Sequence, residues 1–136
     1  MKHARRIANR ISELRPLSAW AVEIARQLGC SPDKCFDVDL CLTEAVSNII
    51  RHGYTDDASQ AIDIEITREP GALAIRIEDD ARPFDPLEAP GLLATSLDEA
   101  EPGGRGIALM RSAADSASYE RRDRRNRLTV KFAVRD

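Results

Sequence analysis

Within LCLTEAVSNIIRHGY, Leu40 to Tyr54, an acid, an amide and an imidazole recur every fourth residue as Glu44, Asn48 and His52. These are side chains of proton transfer and polar ligation. On a 3.6-residue period Glu44 and Asn48 stand about 40° apart, with Arg51 close by. Leu42, Ala45, Val46, Ile49 and Ile50 form a separate apolar stripe, so the core is satisfied without the polar column. Taken alone, ExxxN reads as a solvated helix face.

Two further stretches carry chemical potential. Leu73, Ile75 and Ile77 alternate with Ala74, Arg76 and Glu78, and the same parity puts Asp79 on the apolar side. Burying an unpaired carboxylate is costly or forces protonation. An inward Asp79 therefore implies a hydrogen-bonded or ligand-facing position, whereas a strand ending one residue early would release it to solvent. Farther on, Gly103, Gly104, Arg105 and Gly106 open a helix with Ile107, Met110 and Ala114 on one side. A glycine-rich turn at a helix start exposes unpaired N–H groups and the positive end of the dipole, a cradle for phosphate. GGRG is neither a Walker A loop nor GxGxxG.

The elements that must hold these groups follow from periodicity. A strand-like opening around Arg5 to Ile11 precedes a helix with Leu14, Leu17, Trp20, Ala21, Ile24 and Leu28 on its apolar face, ending at Gly29. Trp20 is expected in the core. Ser31 before Pro32 caps the next helix, which carries Glu44 and Asn48 and stops at Gly53. His52, at the edge of the stripe and the helix end, is expected to pack or cap. Ile62, Ile64 and Ile66 form a strand joined to the Leu73 strand by a turn at Glu69, Pro70 and Gly71. Pro86 to Pro102 is rich in Pro, Gly and acid and is expected to be a mobile segment with a short helix. A closing hairpin pairs Ala117 to Glu120 with Leu128 to Val134 around the basic turn RRDRRNR.

The 136 residues suit one domain spanning 1–136. A net charge of −3 argues against affinity built on phosphate-backbone neutralisation, and the basic turn lacks interleaved aromatics, so no direct nucleic-acid role is expected. The N-terminal stretch has no apolar signal region and no run is long enough for a bilayer, which predicts a cytoplasmic protein without membrane contact. Cys30, Cys35 and Cys41 match neither a zinc ribbon nor a CxxC pair and are read as reduced, small hydrophobic side chains.

Jointly, three short motifs resemble the GHKL, or Bergerat-fold, ATPases, and most of all the RsbW-type anti-sigma-factor serine/threonine kinases. LTEAVSNIIRHGY is similar to their N box, IEDDARPFDP to the first glycine box, GGRGIALM to the second, and SYERRDRRNRLTVKF to the last two strands. The resemblance implies a two-layer α/β (α+β) sandwich of Bergerat type, a mixed but mostly antiparallel sheet of four or five strands with helices on one face. It also implies ATP and Mg²⁺. Glu44 would be the general base and Asn48 the ligand to nucleotide-bound Mg²⁺, chemistry suited to phosphoryl transfer. Asp79 would accept a hydrogen bond from the adenine amino group. Gly103, Gly104 and Gly106 would wrap the phosphates with Arg105 beside them, under a lid from Pro86 to Pro102. Thr129 matches a family threonine near adenine, although strand parity groups it with Lys131. Ala81 stands where the family's first glycine box has glycine, which predicts a weaker approach to nucleotide.

The implied function is an ATP-dependent serine/threonine protein kinase that binds a sigma factor and phosphorylates a STAS-type anti-anti-sigma partner, acting as a homodimer. A non-catalytic anti-sigma or partner-switching module with weak or lost nucleotide binding is the alternative. Glu44 favours the enzyme and Ala81 the module. A histidine kinase catalytic domain fits less well, because no phosphoacceptor helical hairpin accompanies these motifs.

Overall fold

The computed structural model describes residues 2–53, 60–81 and 113–135, with side chains to residue 51 in the first span. Strand β1 (Lys2–Ala8) leads through a 3₁₀ turn (Ile11–Glu13) into helix α1 (Leu14–Gln27) and helix α2 (Pro32–Asn48). Strands β2 (Ala61–Glu69), β3 (Ala72–Asp79), β4 (Ser116–Arg122) and β5 (Arg125–Ala133) follow. They form one sheet in the order β1-β2-β3-β5-β4, and all four pairings are antiparallel.

The helices cover one face. Leu17, Ala21 and Ile24 of α1 and Val38, Leu42 and Val46 of α2 share a core with the alternate side chains of β2, β3 and β5. Ile62, Ile64, Ile66, Leu73, Ile75, Ile77 and Phe132 are essentially solvent-free. None of the three cysteines forms a disulfide, all are buried as small hydrophobic side chains, and burial raises their thiol pKa values, that of Cys41 to about 12. Trp20 is half-buried against the core edge, its ring 6.0 Å below the Arg5 guanidinium. Between the helices, the Ser18 hydroxyl donates to Asp39 Oδ1, which also accepts from Thr43 Oγ1 at 3.1 Å.

Local chemistry sets the element ends. Gly29, at φ 101°, closes α1 in a conformation costly for other residues. Ser31 Oγ accepts from the Lys34 N–H at 3.2 Å, with Pro32 in the first turn of α2 where no N–H is needed. Beyond Asn48 the helix widens into a π-helical turn over Ile49–Gly53, and such turns inside α-helices frequently sit at functional sites.

Two boundaries differ from the periodicity. The first strand begins at Lys2 and ends at Ala8, several residues earlier than the expected Arg5 to Ile11. Its inward side carries His3 and Arg5 before Ile7, so apolar alternation gave little to read. In the closing hairpin, only Asp123 and Arg124 form the turn, both with left-handed φ (54° and 64°). Positive φ at both central residues matches strand twist in two-residue hairpins. The remaining arginines of RRDRRNR belong to strands. On the sheet face away from the helices, Arg127 donates to Glu78 at 2.8 Å and Glu120 at 3.0 Å, and Arg125 to Asp63 at 3.0 Å.

Arg68 joins three segments. Its guanidinium donates to the carbonyls of Leu28 at 3.2 Å, Ala72 at 3.1 Å and Arg135 at 3.2 Å, and also to that of Glu69. Arg68→Ala leaves these carbonyls to water or unpaired and is expected to cost about 2 kcal/mol, or about 6 °C in Tm. Urea unfolding of the purified variant measures this; a change under about 0.5 kcal/mol would contradict the stapling role.

Candidate functional site

Two members of the polar column, Glu44 and Asn48, lie one turn apart in α2. Asn48, 3% exposed, donates its side-chain amide to the Glu44 carbonyl at 2.8 Å, and Glu44 is half-buried one turn before it. That bond engages one of the two amide N–H groups and orients Oδ1 as the acceptor atom of the side chain. Next to them, the Arg51 guanidinium donates to the hydroxyl of buried Ser47, fixing the polar side of this last turn.

At the end of β3, parity holds to the last residue. Asp79 is 2% exposed on the helix-facing side of the sheet, and the strand does not end early. Burial pushes its carboxyl up from the ordinary aspartate range; hydrogen bonds from Asn126 and the Ala81 N–H pull the other way. Both bonds fall on Oδ1, each at 2.9 Å. Asn126 sits directly across the ladder from Asp79 and is 5% exposed. Ala81 is buried, and its carbonyl accepts from Arg121 at 2.8 Å and Asn126 at 3.3 Å. Its φ is not left-handed, so the backbone here needs no glycine.

The structure thus brings Glu44 to Asn48, and Asp79 to Ala81. It does not bring Thr129 to either pair. Thr129 lies across from Arg76 and Ser118, on the sheet face away from the helices, with Lys131 and Glu65 nearby. Thr129 therefore does not share the face of Asp79, because residues of one strand separated by an odd count face opposite sides. Asn126 was the residue missed. It lies inside RRDRRNR, read as a solvated turn, yet it is two positions before inward Leu128 and so shares its face. Gly103, Gly104, Arg105 and Gly106, the segment Pro86 to Pro102 and the His52 side chain lie outside the described residues.

Residues 7–132 match the model of the histidine kinase-like ATPase domain. The chain belongs to this ATPase family. Its relatives include the serine/threonine-protein kinase BtrW of Bordetella bronchiseptica, 37% identical over 82% of this chain and 79% of BtrW. The anti-sigma F factor of Clostridium perfringens is 32% identical over 77% of this chain and 76% of its own length. Among solved structures, the RsbU and RsbW domains of a Mycobacterium tuberculosis protein superpose with a TM-score of 0.71 at 14% identity. That match covers 98% of this chain but 32% of the other, so this chain spans about a third of it. The histidine kinase AdeS of Acinetobacter baumannii superposes with a TM-score of 0.52, also at 14% identity. These two likenesses confirm the ATPase fold, with, among the described residues, two helices on one face of a five-stranded antiparallel sheet. Among the described residues, no helix is long and apolar enough to cross a membrane.

The site residues fit the group this family implies. Mg²⁺ favours oxygen ligands and is commonly bound through one or two protein groups plus substrate phosphates. Asn48 Oδ1, with its nitrogen already engaged, suits a single neutral ligand. Among the described residues, no cluster of three acidic, His or Cys side chains offers a self-sufficient metal cage.

Proposed function

We propose that this ATPase-family chain, acting as one domain, is a serine/threonine protein kinase and anti-sigma factor. It would hold a sigma factor, act as a homodimer and phosphorylate a STAS-domain anti-anti-sigma partner with ATP. The observation that carries the proposal is the Glu44–Asn48 pair at the end of α2, locked by the 2.8 Å amide–carbonyl bond. Relatives whose names read serine/threonine-protein kinase and anti-sigma F factor support it.

In this reading Asp79 receives the adenine amino group, and Gly103, Gly104, Arg105 and Gly106 hold the phosphates. When bound at Asn48, Mg²⁺ supplies neutralisation of phosphate charge. The partner's serine oxygen forms a bond to the γ-phosphorus as the bond between that phosphorus and the β–γ bridging oxygen breaks. The electron pair leaves with ADP, and the serine proton passes to the Glu44 carboxylate. Ala81 enters the site without strain, since its N–H and carbonyl are both hydrogen-bonded and its φ is ordinary. This weakens the case for a module that has lost nucleotide.

The test combines the chain, Mg²⁺, γ-labelled ATP and a STAS-domain protein. Label on a serine of that protein is expected, together with a dimer mass by light scattering. Neither label nor a nucleotide-dependent thermal shift would replace the kinase with a partner-binding module, and a monomer mass at all concentrations would remove the dimer.

A further inference from the structure

We propose that Asn126 is the positioning residue that orients Asp79 for a 6-aminopurine, so that base selection depends on a β4–β5 clasp as well as on Asp79. The inference rests on the ATP reading above and adds to it a determinant of base choice. A carboxylate on a strand end can rotate, and a rotated carboxylate discriminates poorly between an amino group and an oxo group. Here rotation is blocked. Asp79 Oδ1 accepts from the Ala81 N–H and from Asn126 Nδ2, each at 2.9 Å. Among the described residues, Oδ2 takes neither bond and remains the acceptor for a base.

The orientation of Asn126 is fixed in turn. Its Oδ1 accepts from Arg121 Nη1 at 3.1 Å and from the Tyr119 hydroxyl. The guanidinium, which can only donate, excludes the flipped amide, which would set an N–H group against it, so Nδ2 must face Asp79. Arg121 also donates to the Ala81 carbonyl at 2.8 Å, closing a ring from β4 through β5 to the residues after β3. Each atom of this buried amide therefore has a directed partner, the condition under which a polar group specifies a geometry.

Dissociation constants for MgATP and MgITP, which differ in the 6-amino versus 6-oxo group, provide the test. The wild-type chain is expected to prefer ATP. Asn126→Ala should lower the ATP-to-ITP preference by about tenfold, mostly through weaker ATP binding. Arg121→Ala, at an exposed residue of the edge strand β4, should lower it in the same direction by a smaller factor. A purely structural role would weaken both nucleotides alike. In the nucleotide-free protein, the Asp79 carboxyl should titrate higher in Asn126→Ala than in wild type, since a donor to its charged form is lost. An unchanged preference in both variants, or an unchanged Asp79 titration, overturns the positioning role. If the wild-type chain bound neither nucleotide, the ATP reading would fail first, and an elevated Asp79 titration in Asn126→Ala would identify that as the failure.

Discussion

Glu44→Gln is expected to reduce phosphate transfer to the STAS partner by at least about 100-fold while MgATP affinity changes by less than about twofold. The substitution keeps the length and polarity of the side chain and removes only its ability to take a proton. Because α2 buries Leu42, Ala45 and Val46 on another face, the helix should not notice the change. Asn48 contacts the Glu44 backbone carbonyl, so its amide stays in place when the Glu44 side chain is altered. Asn48→Ala is the matched control. It removes the oxygen assigned to the metal, and MgATP binding itself should weaken. Paired measurements of affinity and single-turnover transfer separate the two. Full transfer by Glu44→Gln, or a loss of nucleotide binding equal to that of Asn48→Ala, would contradict the roles assigned to this turn.

The two residue pairs were visible in sequence to different depths. Glu44 and Asn48 stood out because helical periodicity separated them from a stripe that already explained the core. Asp79 stood out through strand parity, which also predicted that it needs a partner. What parity could not supply was the partner's identity, since that depends on register between β3 and β5, a pairing set by the whole hairpin. The arginines around Asn126 obscured it further. Arg125 and Arg127 flank Asn126 but face the opposite side of the sheet, where Asp63, Glu78 and Glu120 meet them. A run of basic residues read as one exposed turn was thus two alternating faces of a strand. Thr129 shows the complementary lesson: alternation, already legible beside Lys131, was enough to place it on the sheet face away from Asp79. The π-helical turn after Asn48 had no sequence signal beyond the stop at Gly53, because backbone widening depends on how the last turn packs.

Asp79→Asn is expected to move stability and function in opposite directions. Buried Asp79 has its carboxyl pushed up mainly by desolvation, against the pull of Asn126 and the Ala81 N–H. The folded chain therefore binds this proton more tightly than the unfolded chain. Stability contributed by the protonated carboxyl is fully present below the ordinary aspartate pKa of about 3.9, and is lost as pH rises through the raised folded value. At neutral pH the folded protein carries a charge that its surroundings disfavour. Asparagine keeps an oxygen to accept from Ala81 and Asn126 and carries no charge, so Tm should rise at pH 7 and the difference should shrink toward zero below about pH 4. ATP sees the opposite effect. With the single amide oxygen held by those two donors, the nitrogen takes the place of Oδ2 and meets the adenine amino group donor to donor. Leaving such groups unpaired in a buried site costs about 1–3 kcal/mol, so ATP affinity should fall about 10- to 100-fold. Melting curves across pH and calorimetry with MgATP measure both effects on one variant. A lower Tm at pH 7, or a difference that persists below pH 4, would show that charge burial at Asp79 is not what the fold tolerates for the sake of the ligand.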